Sequence, residues 1–133
     1  MLCAGYSEGS GVVIAGSAEA LSNLARDLEG GRQASVRLTE RRPEPYESAL
    51  ASIELRPSEG PARLGVENDA LVVAGGRSAL QMLATNISFF IGDASSDDQG
   101  AHLHIEWYPG NDNIAEDSEP LVVAFVEPDV PPR

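Results

Sequence analysis

The chain has no lysine, one cysteine, one tryptophan and two histidines among its 133 residues. The single cysteine, Cys3, excludes an intrachain disulfide and any cluster of thiolate metal ligands. The absence of lysine excludes a P-loop, whose lysine reaches the terminal phosphates of a nucleotide. Long apolar runs are missing too. The longest, Leu121 to Val126, is far short of the roughly 20 residues that cross a bilayer. Met1 to Glu8 has neither the basic start nor the apolar stretch of a signal peptide, so a cytoplasmic location is expected. Positive charge is also scarce: 9 basic residues, all arginine, face 21 carboxylates, for a net charge of -12. That balance argues against nucleic acid or an anionic membrane surface as partner.

What is present suits a folded globular chain. The composition is 42% hydrophobic, with a mean hydropathy of -0.16. The length fits one domain, residues 1–133, better than two. Charge is unevenly placed within it. Residues 93–133 hold ten acids against Arg133, whereas residues 1–63 hold nine acids and seven arginines. An electrostatic partner should therefore meet the last third of the chain.

The clearest internal pattern is a duplication. Residues 11–28 align without gaps on residues 70–87, and seven of the 18 pairs are identical, among them Gly16 with Gly75. Each copy reads as strand, tight turn and helix. Val12 to Ala15 and Leu71 to Ala74 are short apolar runs closed by glycine. Leu21, Leu24 and Leu28, then Leu80, Leu83 and Ile87, recur at helical spacing. Ser17 is placed to cap the first helix. The second is capped either by Gly76, from the alignment, or by Ser78 with Gln81 as a capping box. Helix ends are expected near Gly30-Gly31 and Gly92. Met82, Phe89, Phe90 and Ile91 widen the apolar face of the second helix, which predicts that it is the more buried.

Strands should flank both units. Leu2 to Tyr6 and Arg63 to Glu67 precede them as hairpin partners. Ser35 to Glu40 and Ala51 to Arg56 follow the first helix, around a loop with Pro43 and Pro45. His102 to Tyr108 and Leu121 to Glu127 follow the second, around an acidic loop. The pattern predicts an α+β fold: a two-layer, antiparallel sheet with two helices, built as a tandem ββαββ duplication. The repeat halves are 1–60 and 61–128, and residues 129–133 form a frayed tail.

The strand around His102 carries the strongest chemical signal. Leu103, Ile105 and Trp107 alternate with His102, His104 and Glu106. Two histidines and a carboxylate on one face are candidate metal ligands or acid–base groups. The same pattern equally describes a half-buried strand with a polar outer face. Strand geometry sets successive members roughly 6.5–7 Å apart, too far for one ion without bent geometry. No metal and no cofactor are expected. A small metal-binding protein or metal-assisted hydrolase using His102, His104 and Glu106 is the alternative reading.

Pro109 to Glu119 is dense in acceptor groups but lacks the ligand spacing of a calcium loop. It reads either as a solvated turn or as an acidic surface for a partner. Ala74 to Ser78 matches neither the dinucleotide nor the P-loop pattern and reads as a structural turn. No histidine stands near Cys3, so nucleophilic catalysis by its thiol has no support.

The run His102-Leu-His-Ile-Glu-Trp-Tyr-Pro-Gly110, followed by Ser118-Glu-Pro-Leu-Val-Val123, resembles immunity protein family thirty-two of the bacterial polymorphic toxin systems. Gly16 to Leu21 is similar to that family's strand-to-helix turn. About 25 residues carry the resemblance closely. Asn111-Asp112-Asn113 departs from it, since the family has a more aromatic or histidine-containing run there. The resemblance implies a non-enzymatic protein that binds and neutralises a cognate toxin. The acidic third coincides with the family-like segment. The expected contact residues are therefore His102, His104, Glu106, Tyr108, Asp112, Glu116, Asp117 and Glu119, facing a basic toxin. A third reading is a homo-oligomeric structural or regulatory module, a homodimer for example, formed by pairing of exposed edge strands.

Overall fold

The structure is a computed structural model that describes residues 2–39, 48–93 and 102–125. Two apolar runs separated by Glu8-Gly9-Ser10 form the antiparallel hairpin β1 (Leu2–Ser7) and β2 (Gly11–Gly16). Ser17 then caps α1 (Ala18–Gly30), its side chain accepting the Ala20 N–H at 3.2 Å. Gly31 ends this helix at φ 63, a left-handed conformation that costs glycine little. β3 (Ala34–Arg37), the two-residue β4 (Ser48–Ala49) and β5 (Ser52–Pro57) complete the first half. The second half repeats the order: β6 (Arg63–Glu67), β7 (Ala70–Gly75), α2 (Arg77–Asp93), β8 (His102–Ile105) and β9 (Leu121–Phe125). Only β4 lacks any forecast in the hydrophobic pattern.

Among the described residues the strands form two sheets, ordered β4-β1-β2-β9-β8 and β3-β5-β7-β6. Each sheet joins the hairpin of one half to two later strands of the other, β8 and β9 or β3 and β5, and the short β4 adds to β1 of its own half. Pairs within a half are antiparallel, whereas the joints β2–β9 and β5–β7 are parallel. The α+β two-layer class and the duplication are thus present, but the sheet is not one antiparallel surface. Exchange of strand pairs sets β2 beside β9 and β5 beside β7 without a tight turn between them, and so permits the parallel joints.

The duplication extends into the register. Ala4 stands opposite Ile14, and Leu64 stands opposite Val73. Val12 pairs with Leu121 in one joint, as Leu71 pairs with Ile53 in the other. Loop hydrogen bonds repeat too: Leu50 N–H donates to Ala4 O at 2.9 Å, and Glu119 N–H to Leu64 O at 2.8 Å. Helix starts agree as well. Leu21 N–H donates to Ser17 O at 2.9 Å, and Leu80 N–H to Gly76 O at 3.0 Å. Gly76, not Ser78, therefore caps α2. A side chain there would bring Cβ to 3.2 Å from Gly60 O and 3.3 Å from Gly60 N, so the close backbone approach crowds any residue larger than glycine.

The two helices pack side by side on the inner faces of both sheets. Ile14 and Val73 from the central strands, Leu24 and Leu83 from the helices, and Ile53 and Leu121 from the exchanged strands meet at the centre. Of the residues expected to widen the buried face of α2, Phe90 and Ile91 pack half-buried against the core, whereas Met82 and Phe89 do not. Leu80, Leu83 and Ile87 already fill its inner stripe, leaving Met82 41% and Phe89 69% exposed on the other side. The loop at Pro43 and Pro45, Pro128 and the tail from Asp129 lie outside the described residues.

Candidate functional site

β8 is the outer strand of its sheet, and its alternation turns Leu103 and Ile105 inward and leaves His102 and His104 exposed. The two imidazole centroids stand 6.4 Å apart. One zinc ion would need a nitrogen from each within about 2.0–2.1 Å, so the rings would have to converge. The strand expected to run through Tyr108 stops at Ile105, the partner of Leu121. Past it the Glu106 carbonyl turns to the loop, where it accepts from the Asn111 side-chain amide at 3.1 Å. Among the described residues no group of three His, Cys, Asp or Glu is placed to hold a metal. Cys3 is buried on β1, with β2 and β9 between it and the histidines.

After β8 the alternation of burial persists without the strand. Glu106 is exposed, Trp107 is half-buried against the core, and Tyr108 is 60% exposed. Asn111 folds the next turn: its side chain donates to Glu106 O at 3.1 Å and accepts the Asn113 N–H at 3.1 Å. The loop then runs along the outer edge of β6. Ala62 N–H donates to Asn113 O at 2.7 Å, and Ala115 N–H donates to Ala62 O at 2.8 Å. Ser118 Oγ accepts the Leu64 N–H at 2.9 Å. Ile114 and Ala115 are buried beneath it. This segment is therefore pinned rather than a freely solvated turn, and it covers what would be an open sheet edge.

The carboxylates sit unevenly on this frame. Asp112 and Glu116 are exposed and make no ion pair among the described residues. Asp117 accepts from Arg63 Nε at 2.9 Å, an exposed pair of the kind worth about 0–1 kcal/mol. Glu119 is half-buried, its backbone committed to β6. The loop thus gathers Asp112, Glu116, Asp117 and Glu119, with Glu106 and Tyr108 at its start. His102 and His104 lie on the neighbouring edge strand. Asp97 and Asp98 lie outside the described residues. Sequence reasoning missed the pinning groups Ala62, Arg63, Asn111 and Ser118. Only the Asn111-x-Asn113 spacing after Pro-Gly signals a turn locally.

A clearly displaced carboxyl lies elsewhere. Glu54 on β5 is held below the usual carboxylate range, first by the Ser35 hydroxyl at 2.6 Å, then by Ser52 and, more weakly, by Arg56. Among the described residues no helix is long and apolar enough to cross a membrane.

No curated protein and no solved structure matches the chain. A family model does match, and it takes in the Gly75 to Leu80 turn, the second copy, rather than Gly16 to Leu21. The matched stretch begins with β7 and includes α2, the histidine strand and the acidic loop. Residues 70–126 match the model of the Immunity protein 32 family, the family that the sequence itself resembles.

Proposed function

We propose that this chain is a non-enzymatic immunity protein that binds and neutralises a cognate bacterial toxin carrying a basic face. The observation that carries this reading is the coincidence of the family match with the pinned acidic loop. A loop held by backbone hydrogen bonds loses little conformational freedom when a partner docks, so less of the interaction energy goes into ordering it. Its exposed carboxylates attract a basic surface over the screening length, which can raise association toward about 10⁸–10⁹ M⁻¹s⁻¹ at low salt. Tyr108 is the aromatic anchor, flanked by Glu106 and the His102 and His104 edge strand. The protein acts in the cytoplasm and needs no metal or cofactor.

The test is binding kinetics at two ionic strengths against the toxin domain encoded beside this gene. Replacing Asp112, Glu116, Asp117 and Glu119 with amides should slow association about tenfold at low salt and flatten its salt dependence. Tyr108→Ala should instead speed dissociation. Unchanged association in the amide variant would remove the steering role. Absence of binding by the unaltered protein would remove the immunity assignment for that pair.

A further inference from the structure

From Ser78 to Gly92 the chain carries no charged residue, in a protein whose charged fraction is 23%. These residues make up most of α2. Met82, Thr85 and Phe89 fall on one exposed stripe at helical spacing. The duplication supplies an internal control. The equivalent positions of α1 are Asn23, Arg26 and Gly30, all exposed. Both helices offer the same inner stripe to the core, so the fold itself requires nothing apolar at these outer positions.

Beside the stripe lies an open groove of about 530 Å³, lined by Ala84, Thr85 and Ser88 with Gln81, Glu29 and Phe89. A protruding aromatic ring and a recess walled by small side chains therefore share one patch. A two-fold interface needs this combination, because the same patch must supply both knob and hole. Charge then selects the occupant. Two copies at -12 each repel, most strongly across the acidic last third, and an uncharged face is where they meet at least electrostatic cost. A basic partner gains nothing from a neutral face. Glu29 is exposed and can stay at the rim, in water.

We propose that α2 is the face through which two copies of this chain associate, each Phe89 seated in the groove beside α2 of the other. A helix of 17 residues is about 25 Å long, which limits the contact to the smaller class of interfaces. The association is therefore micromolar. Salt strengthens it, because screening removes the repulsion between like-charged copies, whereas salt weakens any capture driven by opposite charge.

Sedimentation of the full chain from about 1 to 100 μM, at low and high salt, tests this. The expected result is a mass rising from 14.0 kDa toward twice that value, at lower protein concentration when salt is high. Phe89→Asp and Met82→Lys should each weaken association about 30-fold or more without changing the melting temperature, since both side chains are exposed. Asn23→Asp on α1 should leave it unchanged. A monomer at every concentration, association weakened by salt, or association indifferent to Phe89→Asp would each overturn the proposal. So would a monomeric protein in which Phe89→Asp impairs only toxin capture, which would give this face to the toxin.

Discussion

Exchange of strands between the halves implies that neither half can unfold alone. Leu55→Ala probes this. Leu55 lies on β5 in the first half, 1% exposed, and stands opposite Val73 of the second half. Core Leu→Ala changes cost about 2–5 kcal/mol, against a total stability of order 10 kcal/mol for a chain of this size. With about 3 kcal/mol lost and a urea slope near 2 kcal/mol/M, the midpoint should fall by roughly 1.5 M at unchanged slope. Trp107, the only tryptophan, sits in the second half and reports on it by fluorescence. Far-UV circular dichroism reports on both helices together. At fixed protein concentration the two signals should move together and by the same amount. A Trp107 transition that stays in place in Leu55→Ala, or two separate transitions, would refute the single cooperative domain.

Gly11 sits at φ 88, and a Cβ there would collide with the Pro120 carbonyl oxygen that accepts the Val12 N–H. Gly11→Ala should therefore cost about 2–4 kcal/mol in urea denaturation, while Gly9→Ala, at φ 84 with open space around it, should cost only about 1–2. Equal losses would refute the collision. Ser17→Ala should destabilise by about 1 kcal/mol, whereas Gly76→Ser should not stabilise, because Gly60 crowds the position; a rise in melting temperature in the second variant would contradict this. Ser35→Ala should raise the Glu54 pKa toward 4.5, read by an NMR titration. A folded-state pKa below the unfolded one stabilises above the ordinary carboxylate range and is lost as pH falls through the lowered value. The advantage of the unaltered protein over Ser35→Ala should accordingly shrink on acidification, and an unmoved Glu54 titration would count against the Ser35 contact.

Period and punctuation determined much of this protein from the sequence alone. The repeat of 11–28 in 70–87, the Ser17 cap, the stop at Gly31 and the inward set Leu103, Ile105 and Trp107 are all local consequences of residue spacing. So is the placing of His102 and His104 on a polar face, and of the carboxylates in one loop. Tertiary structure decided the partners. A period of two marks the faces of a strand but not its neighbour, so the exchange that sets β2 beside β9 and β5 beside β7 leaves no local trace. Pinning of the loop to Ala62 and Leu64, and the Arg63–Asp117 pair, join residues more than 50 positions apart. The exposure of Met82 and Phe89 was equally hidden: an apolar residue on a helix is buried only if a surface lies opposite it, and the two sheets cover just one side of α2.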